Sequence, residues 1–409
     1  MLLFSAVCVT AAVAGADQIA PEILSLARIQ HKMADELKRL PNYSCMETVD
    51  RYTSARGARP KPFDRIRIQV AIVDGRELYS WPGATVFSDQ RLPDMVQSGF
   101  VGDGDFASMT RNIFIGKTAT IRFSGEEQSD GRKLLRYEFR IPQMLSGWTV
   151  RLGGSSGVVG AAGSFWADAE TYDLVRLQFE AQDLPPFSQD RTIAEDVTYA
   201  RVHLGESEIL LPAAMDLTSE SFNGDTHWNH GTFTQCRKYA AESSISFGDE
   251  DDLAKAVSGK VEKDDALALP AEIDLHVQLE KAIDCRRAAV GDEVRAMLAK
   301  DLKVDRVLFR KGTAVKGIVR KMALQEGNRP YYEVGLEFTG LEGGGRRASF
   351  VAQSEQVAAF PGYHKNVVGF GVPNDRRSFG VAYFYVDASM AEVPAGVGLT
   401  LVTGTLRTR

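Results

Sequence analysis

The most constraining feature of this chain is a two-residue periodicity. Ile66, Ile68, Val70 and Ile72 alternate with Arg65, Arg67 and Gln69, which describes a strand with one apolar and one wet face. Asp74-Gly75 then supplies a hairpin turn, and Glu77 to Trp81 reads as the return strand. Comparable runs occur at Thr118–Phe123, Lys133–Ile141, Trp148–Leu152, Gly163–Ala167, Leu174–Ala181, Glu208–Leu211 and Gly231–Phe247. Turn signals such as Asp130-Gly131 and Asp168-Ala169-Glu170-Thr171 separate them. One segment has the other periodicity: Ile23, Leu26, Met33, Leu37 and Leu40 mark one face of a helix that begins at Pro21 and ends before Pro41-Asn42. The fold class is therefore mainly β with an N-terminal helix.

Between Ser88 and Gly116 the alternation stops. Gly99, Gly102 and Gly104 surround Phe100, Val101 and Phe106, and a short helix is expected from Phe106 to Ile113. This interruption suits a lid or a plug packed against a sheet, and Phe100, Val101 and Phe106 are its candidate ligand-contacting residues. It is not a phosphate loop, because no GxxxxGK[ST] occurs and no βαβ pattern surrounds it. The second glycine-rich run, Gly153 to Gly163, reads as a loop between strands.

At 409 residues the chain exceeds what one hydrophobic core normally serves. A polar stretch from Gly248, holding Asp249-Glu250-Asp251-Asp252, is the natural linker and is assigned to residues 248–268. It divides a first domain at 17–247 from a second at 269–409. Beyond it the pattern is all strand: Ile273, Leu275, Val277 and Leu279 alternate, and short runs follow as far as Leu399–Leu406. Regular short strands without helices predict a small barrel or sandwich. A formal charge of −6 gives no electrostatic reason to expect a nucleic-acid partner.

Residues 1–16 read as an export signal. Leu2, Leu3, Phe4 and the run Val7–Val13 form a short apolar core, and Ala14-Gly15-Ala16 is a small-x-small cleavage signature. No Lys or Arg precedes that core, which is the expected mark of a start assigned downstream of a basic segment. Cys8 lies too near the start for a lipoprotein cleavage site. No other stretch approaches the ~18 apolar residues of a membrane span, so the processed chain is expected to be periplasmic or secreted. Cleavage would leave Cys45, Cys236 and Cys285, which fits one disulfide and a spare thiol, or three buried thiols with no bond.

The residues do not assemble a catalytic apparatus. His227-Trp228-Asn229-His230 is the one histidine cluster, read as a polar hairpin tip; in a strand the two imidazoles would face opposite ways. No HExxH and no GxSxG occurs, and the carboxylate pairs Glu126-Glu127 and Glu195-Asp196 are adjacent and point apart. Cys285 is flanked by Arg286 and Arg287, which favour a thiolate, whereas burial would silence it. No catalytic, metal or cofactor residue is assigned.

Two resemblances add to this reading. Gly163-Ser164-Phe165-Trp166-Ala167-Asp168-Ala169-Glu170-Thr171, returning through Leu174-Val175-Arg176-Leu177, resembles the periplasmic lipoprotein-carrier group of LolA/LolB-like half-barrels. Leu40-Pro41-Asn42-Tyr43-Ser44-Cys45 opening the first strand fits the same plan, and the likeness spans residues 20–247. It implies a strongly curved antiparallel sheet whose concave face holds an acyl chain or other apolar ligand. It also places the first strand beside the last, which implies a Cys45–Cys236 disulfide. In the second domain, Leu269-Pro270-Ala271, Ala289-Val290-Gly291-Asp292 and Lys311-Gly312-Thr313 resemble the small β-barrel of TrbI-type secretion and conjugation components, and that of uncharacterised exported proteins. Gly291 and Gly312 are expected at positive φ. Together these imply a non-enzymatic binding or structural protein of the bacterial envelope that docks an envelope partner. The alternative is an envelope hydrolase with a glycine-rich lid.

Overall fold

The computed structural model describes residues 20–84, 87, 90–96, 99–102, 108–152, 155–238, 267–364 and 380–404. The expected leader, Phe106 and residues 248–266 of the expected linker lie outside them. About 60% of the described residues are in strands and 10% in helices.

Helix α1 (Pro21–Arg39) starts on a proline, carries Glu22 in its first turn and Lys38 and Arg39 in its last, and so complements its own dipole. Ile29, Met33 and Leu37, spaced four residues apart, are its buried stripe. The strands that follow are β1 (Tyr43–Ser54), β2 (Lys61–Val73) and β3 (Arg76–Ser80). Two short helices, α2 (Leu92–Met95) and α3 (Ser108–Phe114), then interrupt the pattern. Next come β4 (Thr120–Ser129), β5 (Arg132–Ile141), β6 (Thr149–Leu152), β7 (Ser155–Val158), β8 (Gly160–Asp168) and β9 (Leu174–Gln182). The half-barrel ends with β10 (Asp190–Leu204), β11 (Ser207–Ser221) and β12 (Thr226–Lys238).

Ten of these strands form one antiparallel sheet in the order β3-β2-β1-β12-β11-β10-β9-β8-β5-β4. The sheet curls through 277°. Ile29, Met33 and Leu37 of α1 pack with Tyr137, Phe165, Leu177 and Phe179 on its inner face. Gly163 permits the tightest approach inside the sheet, since a Cβ there would lie 1.9 Å from the Gln178 carbonyl oxygen. The Gly153–Gly163 run is not a plain loop: Ser155–Val158 pairs with Thr149–Leu152 as a ribbon, and Gly160 opens β8. Small side chains there serve close contact, with Gly157 seated against Pro185.

The first and last strands are neighbours, and Cys45 is bonded to Cys236 across 191 residues. The β1–β12 register shifts between Ser44 and Met46, a β-bulge at the cystine, with Gln235 at φ 51°. The turn after β8 anchors α1. Oδ1 of Asp168 accepts from the Glu170 and Thr171 amides at 2.9 Å, Lys32 donates to the Thr171 carbonyl, and Arg28 donates to the Tyr172 hydroxyl. Asp173 accepts from Lys32 and Arg201 at 2.6 Å. Burial alone would raise its carboxyl, but those two cations outweigh it and hold the group below the usual range.

The C-terminal part comprises β13 (Leu267–Ala268), β14 (Asp274–Leu279), β15 (Ile283–Asp284), β16 (Glu293–Leu298), β17 (Leu302–Val304), β18 (Val307–Phe309) and β19 (Ala314–Gln325). It continues with β20 (Tyr331–Gly343), β21 (Arg346–Ser349), β22 (Val351–Val357), β23 (Tyr363–His364), β24 (Val381–Asp387), β25 (Glu392–Val393) and β26 (Gly398–Gly404). Its ten-stranded sheet runs β13-β21-β20-β19-β16-β14-β26-β22, with β24 added on β20 and β23 on β24, while β15 with β25 and β17 with β18 form separate two-stranded ribbons. It wraps one apolar core that includes Leu275, Val277, Phe309, Phe338 and Phe384. Leu267 and Ala268, assigned by composition to the linker, form β13 and pair in parallel with β21. Gly291 and Gly312 take the positive φ expected of them, 99° and 86°. Cys285 is a free, buried cysteine in this core, and burial pushes its thiol up to about 12 despite the neighbouring arginines.

Candidate ligand face of the half-barrel

Among the described residues, the inner face of the half-barrel carries a buried polar strip on β1, β2, β12, β11 and β10. Alternation along β1 turns Tyr43, Cys45, Glu47, Val49 and Arg51 inward, and all five are buried. The register sets Arg51 opposite Asp64 on one side and Asn229 on the other. The Arg51 and Asp64 side chains are only 2% and 1% exposed, and the guanidinium meets the carboxylate through two hydrogen bonds of 2.6 and 2.7 Å. Such a fork satisfies both ions with fixed geometry, which a buried pair requires. Glu195 and Ser219 continue the strip on β10 and β11, both buried.

Phe100 and Val101 stand over this strip. The Phe100 carbonyl accepts from Asn229 Nδ2 at 2.9 Å and from Arg51 at 3.4 Å. The Phe100 ring lies 6.1 Å from that of His227 and packs against the cluster of Val197, Met215 and Leu217. Val101 joins Ile66, Ile68 and Val70, the cluster that also receives Leu92, Met95 and Val96 of the α2 segment. Met109, Ile113 and Phe114 of α3 pack beside α1 on the far side. The described pieces of the interruption are thus seated on the sheet as a plug. The interior is a poor solvent for charge: burial, then the Glu77 carboxylate, push Tyr43 up, and burial, then Glu195, push Tyr199 up.

The histidine cluster is not a hairpin tip. The turn lies at Phe222–Asp225, and His227 to His230 run along β12. His227 faces Phe100, while His230 bonds Asp216, which also accepts from Trp228 Nε1 at 2.8 Å. Among the described residues no three His, Cys, Asp or Glu side chains gather as a metal site. A separate groove of about 510 Å³ lies between α1 and the β10–β11 hairpin, lined by His31, Lys32, Asp35, Arg39, Glu208 and Lys238 among others. Its charges are mixed in sign, and Lys32 and Asp35 are engaged in ion pairs.

Phe100 and Val101, the candidates read from the sequence, lie beside Arg51, Asp64 and Asn229, which that reading missed. A signal existed, because Asp64 has the parity of Ile66, Ile68 and Val70, and Arg51 that of Val49. A charge at an inward position on each of two neighbouring strands marks a buried pair.

No family model and no curated protein matches the chain. Among solved structures it is similar to a domain described as an outer membrane lipoprotein-sorting protein from Vibrio parahaemolyticus. Identity is 13% and the TM-score 0.33, over 56% of this chain and 96% of that one. It is also similar to a DUF1329 family protein from Desulfovibrio piger at 13% identity and a TM-score of 0.31, over 57% of this chain and 99% of that one.

Proposed function

We propose that this chain is an exported, non-enzymatic binding protein of the bacterial envelope that holds an apolar or acyl group on the inner face of the half-barrel. The observation that carries this reading is the plug itself. A sheet curled through 277° buries its apolar interior partly under α2 and residues 99–102, short pieces that an incoming apolar group can replace. The Phe100 carbonyl is held by two side-chain donors, Asn229 and Arg51, which tie the segment to the inner face. The Cys45–Cys236 bond supports an oxidising compartment. No described helix is long and apolar enough to cross a membrane. The C-terminal sheet is the element we assign to an envelope partner.

Native mass spectrometry of protein expressed with periplasmic export, paired with displacement of a fluorescent fatty acid, tests the reading. A co-purifying acyl species and a Phe100→Ala variant with altered probe affinity are expected. An empty protein that binds no probe at any accessible concentration overturns it.

A further inference from the structure

We infer that the C-terminal sheet is a clamp that holds the Gly99–Gly102 segment over the inner face of the half-barrel. β3 covers only Gln69–Val73 of β2, so the remainder of that strand presents unpaired backbone on its outer edge. Val290 takes that edge. Its carbonyl accepts from the Arg67 amide and its amide donates to the Arg65 carbonyl, both at 2.8 Å, forming a parallel bridge to Ile66. Its side chain is 4% exposed and sits in the same apolar cluster as Ile66 and Ile68. One residue of the segment that leads into β16 is thereby part of the half-barrel core.

Gly291 makes this approach possible. It stands at φ 99°, and a Cβ there would lie 2.2 Å from the Arg67 carbonyl oxygen and 2.6 Å from the Trp81 ring. Its amide donates to the Val319 carbonyl at 2.8 Å, which ties the joint to β19. The two residues after Val319 then reach back to the half-barrel. The Arg320 guanidinium lies 5.1 Å from the Trp81 ring centre, and Lys321 Nζ lies 5.0 Å from that of Phe63. Ion pairs from Arg67 to Asp292 and from Lys61 to Glu326 flank these contacts.

Phe63 connects the joint to the segment. The β1–β2 register shifts between Arg51 and Tyr52, which leaves Phe63 as the bulged residue. Its ring carries the Arg51 guanidinium at 4.9 Å as well as Lys321. Gly99 sits so close that a Cβ would meet Phe63 at 2.8 Å and Arg51 at 2.6 Å. Arg51 in turn donates to the Phe100 carbonyl. Contacts thus run without a gap from β19 through Phe63 and Arg51 to Gly99 and Phe100. Movement of the C-terminal sheet, as on docking a partner, withdraws Lys321 from Phe63 and loosens the segment.

The test uses the full chain and no ligand, so its outcome is independent of whether an acyl group binds. A Val101→Cys reporter is alkylated with iodoacetamide, and the rate is read by peptide mass spectrometry. Adding Gly291→Ala or Lys321→Glu is expected to speed modification at position 101 by about tenfold, the scale of a local opening that has lost a ring–cation contact. The buried Cys285 thiol should stay unmodified, which verifies that the C-terminal core is intact. Rates within about twofold of the reporter alone in both variants overturn the inference. If Gly291→Ala does not fold, Lys321→Glu alone decides.

Discussion

Removing the Cys45–Cys236 bond should cost the half-barrel most of the stability that a cross-link across 191 residues confers. In the chain-entropy treatment, closing a loop of that length withdraws about 5 kcal/mol of conformational freedom from the unfolded ensemble at 25 °C. Little else is lost, because β1 and β12 keep their ladder on either side of the bulge. With a urea m-value of about 2–3 kcal/mol/M, the midpoint of a Cys45→Ala/Cys236→Ala variant should fall by about 2 M. Intrinsic fluorescence isolates the event, since Trp81, Trp148, Trp166 and Trp228 are all four tryptophans of the chain and all lie before residue 239. A midpoint within about 0.3 M of the native protein would refute the reasoning, because the unfolded chain would then be no freer without the bond.

Two further outcomes follow from buried groups. Arg51→Ala strands the Asp64 carboxylate at 1% exposure and should destabilise by about 3–5 kcal/mol. Arg51→Met/Asp64→Leu should recover much of that loss, and equal urea midpoints for the single and the paired variant would count against the pair. The buried Cys285 thiol should make stability fall at alkaline pH. Burial first, then the Asp284 carboxylate, push its thiol up to about 12, while an unfolded thiol ionises near ~8.5. The unfolded state therefore releases its proton first, and stability falls as pH rises from about 8.5 towards 12, by at most about 1.4 kcal/mol per pH unit. Far-UV circular dichroism during urea titration should show that slope, and Cys285→Ala should flatten it.

Much of the fold was legible because one face of each strand is buried, which writes burial into the chain as parity. Ile66 to Ile72 and the Asp74-Gly75 turn read directly into β2 and β3. Met33 and Leu37 read directly into the buried face of α1, whereas Ile23, assigned to the same face, is 58% exposed and Ile29, left out of it, is fully buried. Gly160 to Gly163 did not read as strand, because glycine there answers to the Gln178 backbone on the neighbouring strand rather than to its own propensity. β12 was placed too late for a related reason: His227, Asn229 and Gly231 are inward positions filled by polar or small residues, so the apolar alternation is missing. The site followed the same division. Phe100 and Val101 announced themselves as apolar residues among glycines, whereas Arg51, Asp64 and Asn229 acquire meaning only when β2, β1 and β12 are set side by side. Val290 and Gly291 are the extreme case, since their partners Arg65 and Arg67 lie more than two hundred residues earlier.

The adjacency of β1 and β12 also fixes an order of events. β2 can pair with β1 as soon as the Ala55–Pro60 turn forms, but the other edge of β1 has no partner until Thr226–Lys238 is present. Throughout synthesis or translocation of the intervening chain, that edge is an open template with Glu47, Val49 and Arg51 facing an unfinished interior. Completion of the half-barrel therefore waits on its last strand, and the slowest step is a single long-range closure rather than the growth of any hairpin. A chain stalled or cut before residue 226 holds eleven of the twelve half-barrel strands, yet it cannot shield β1 from a second copy of itself.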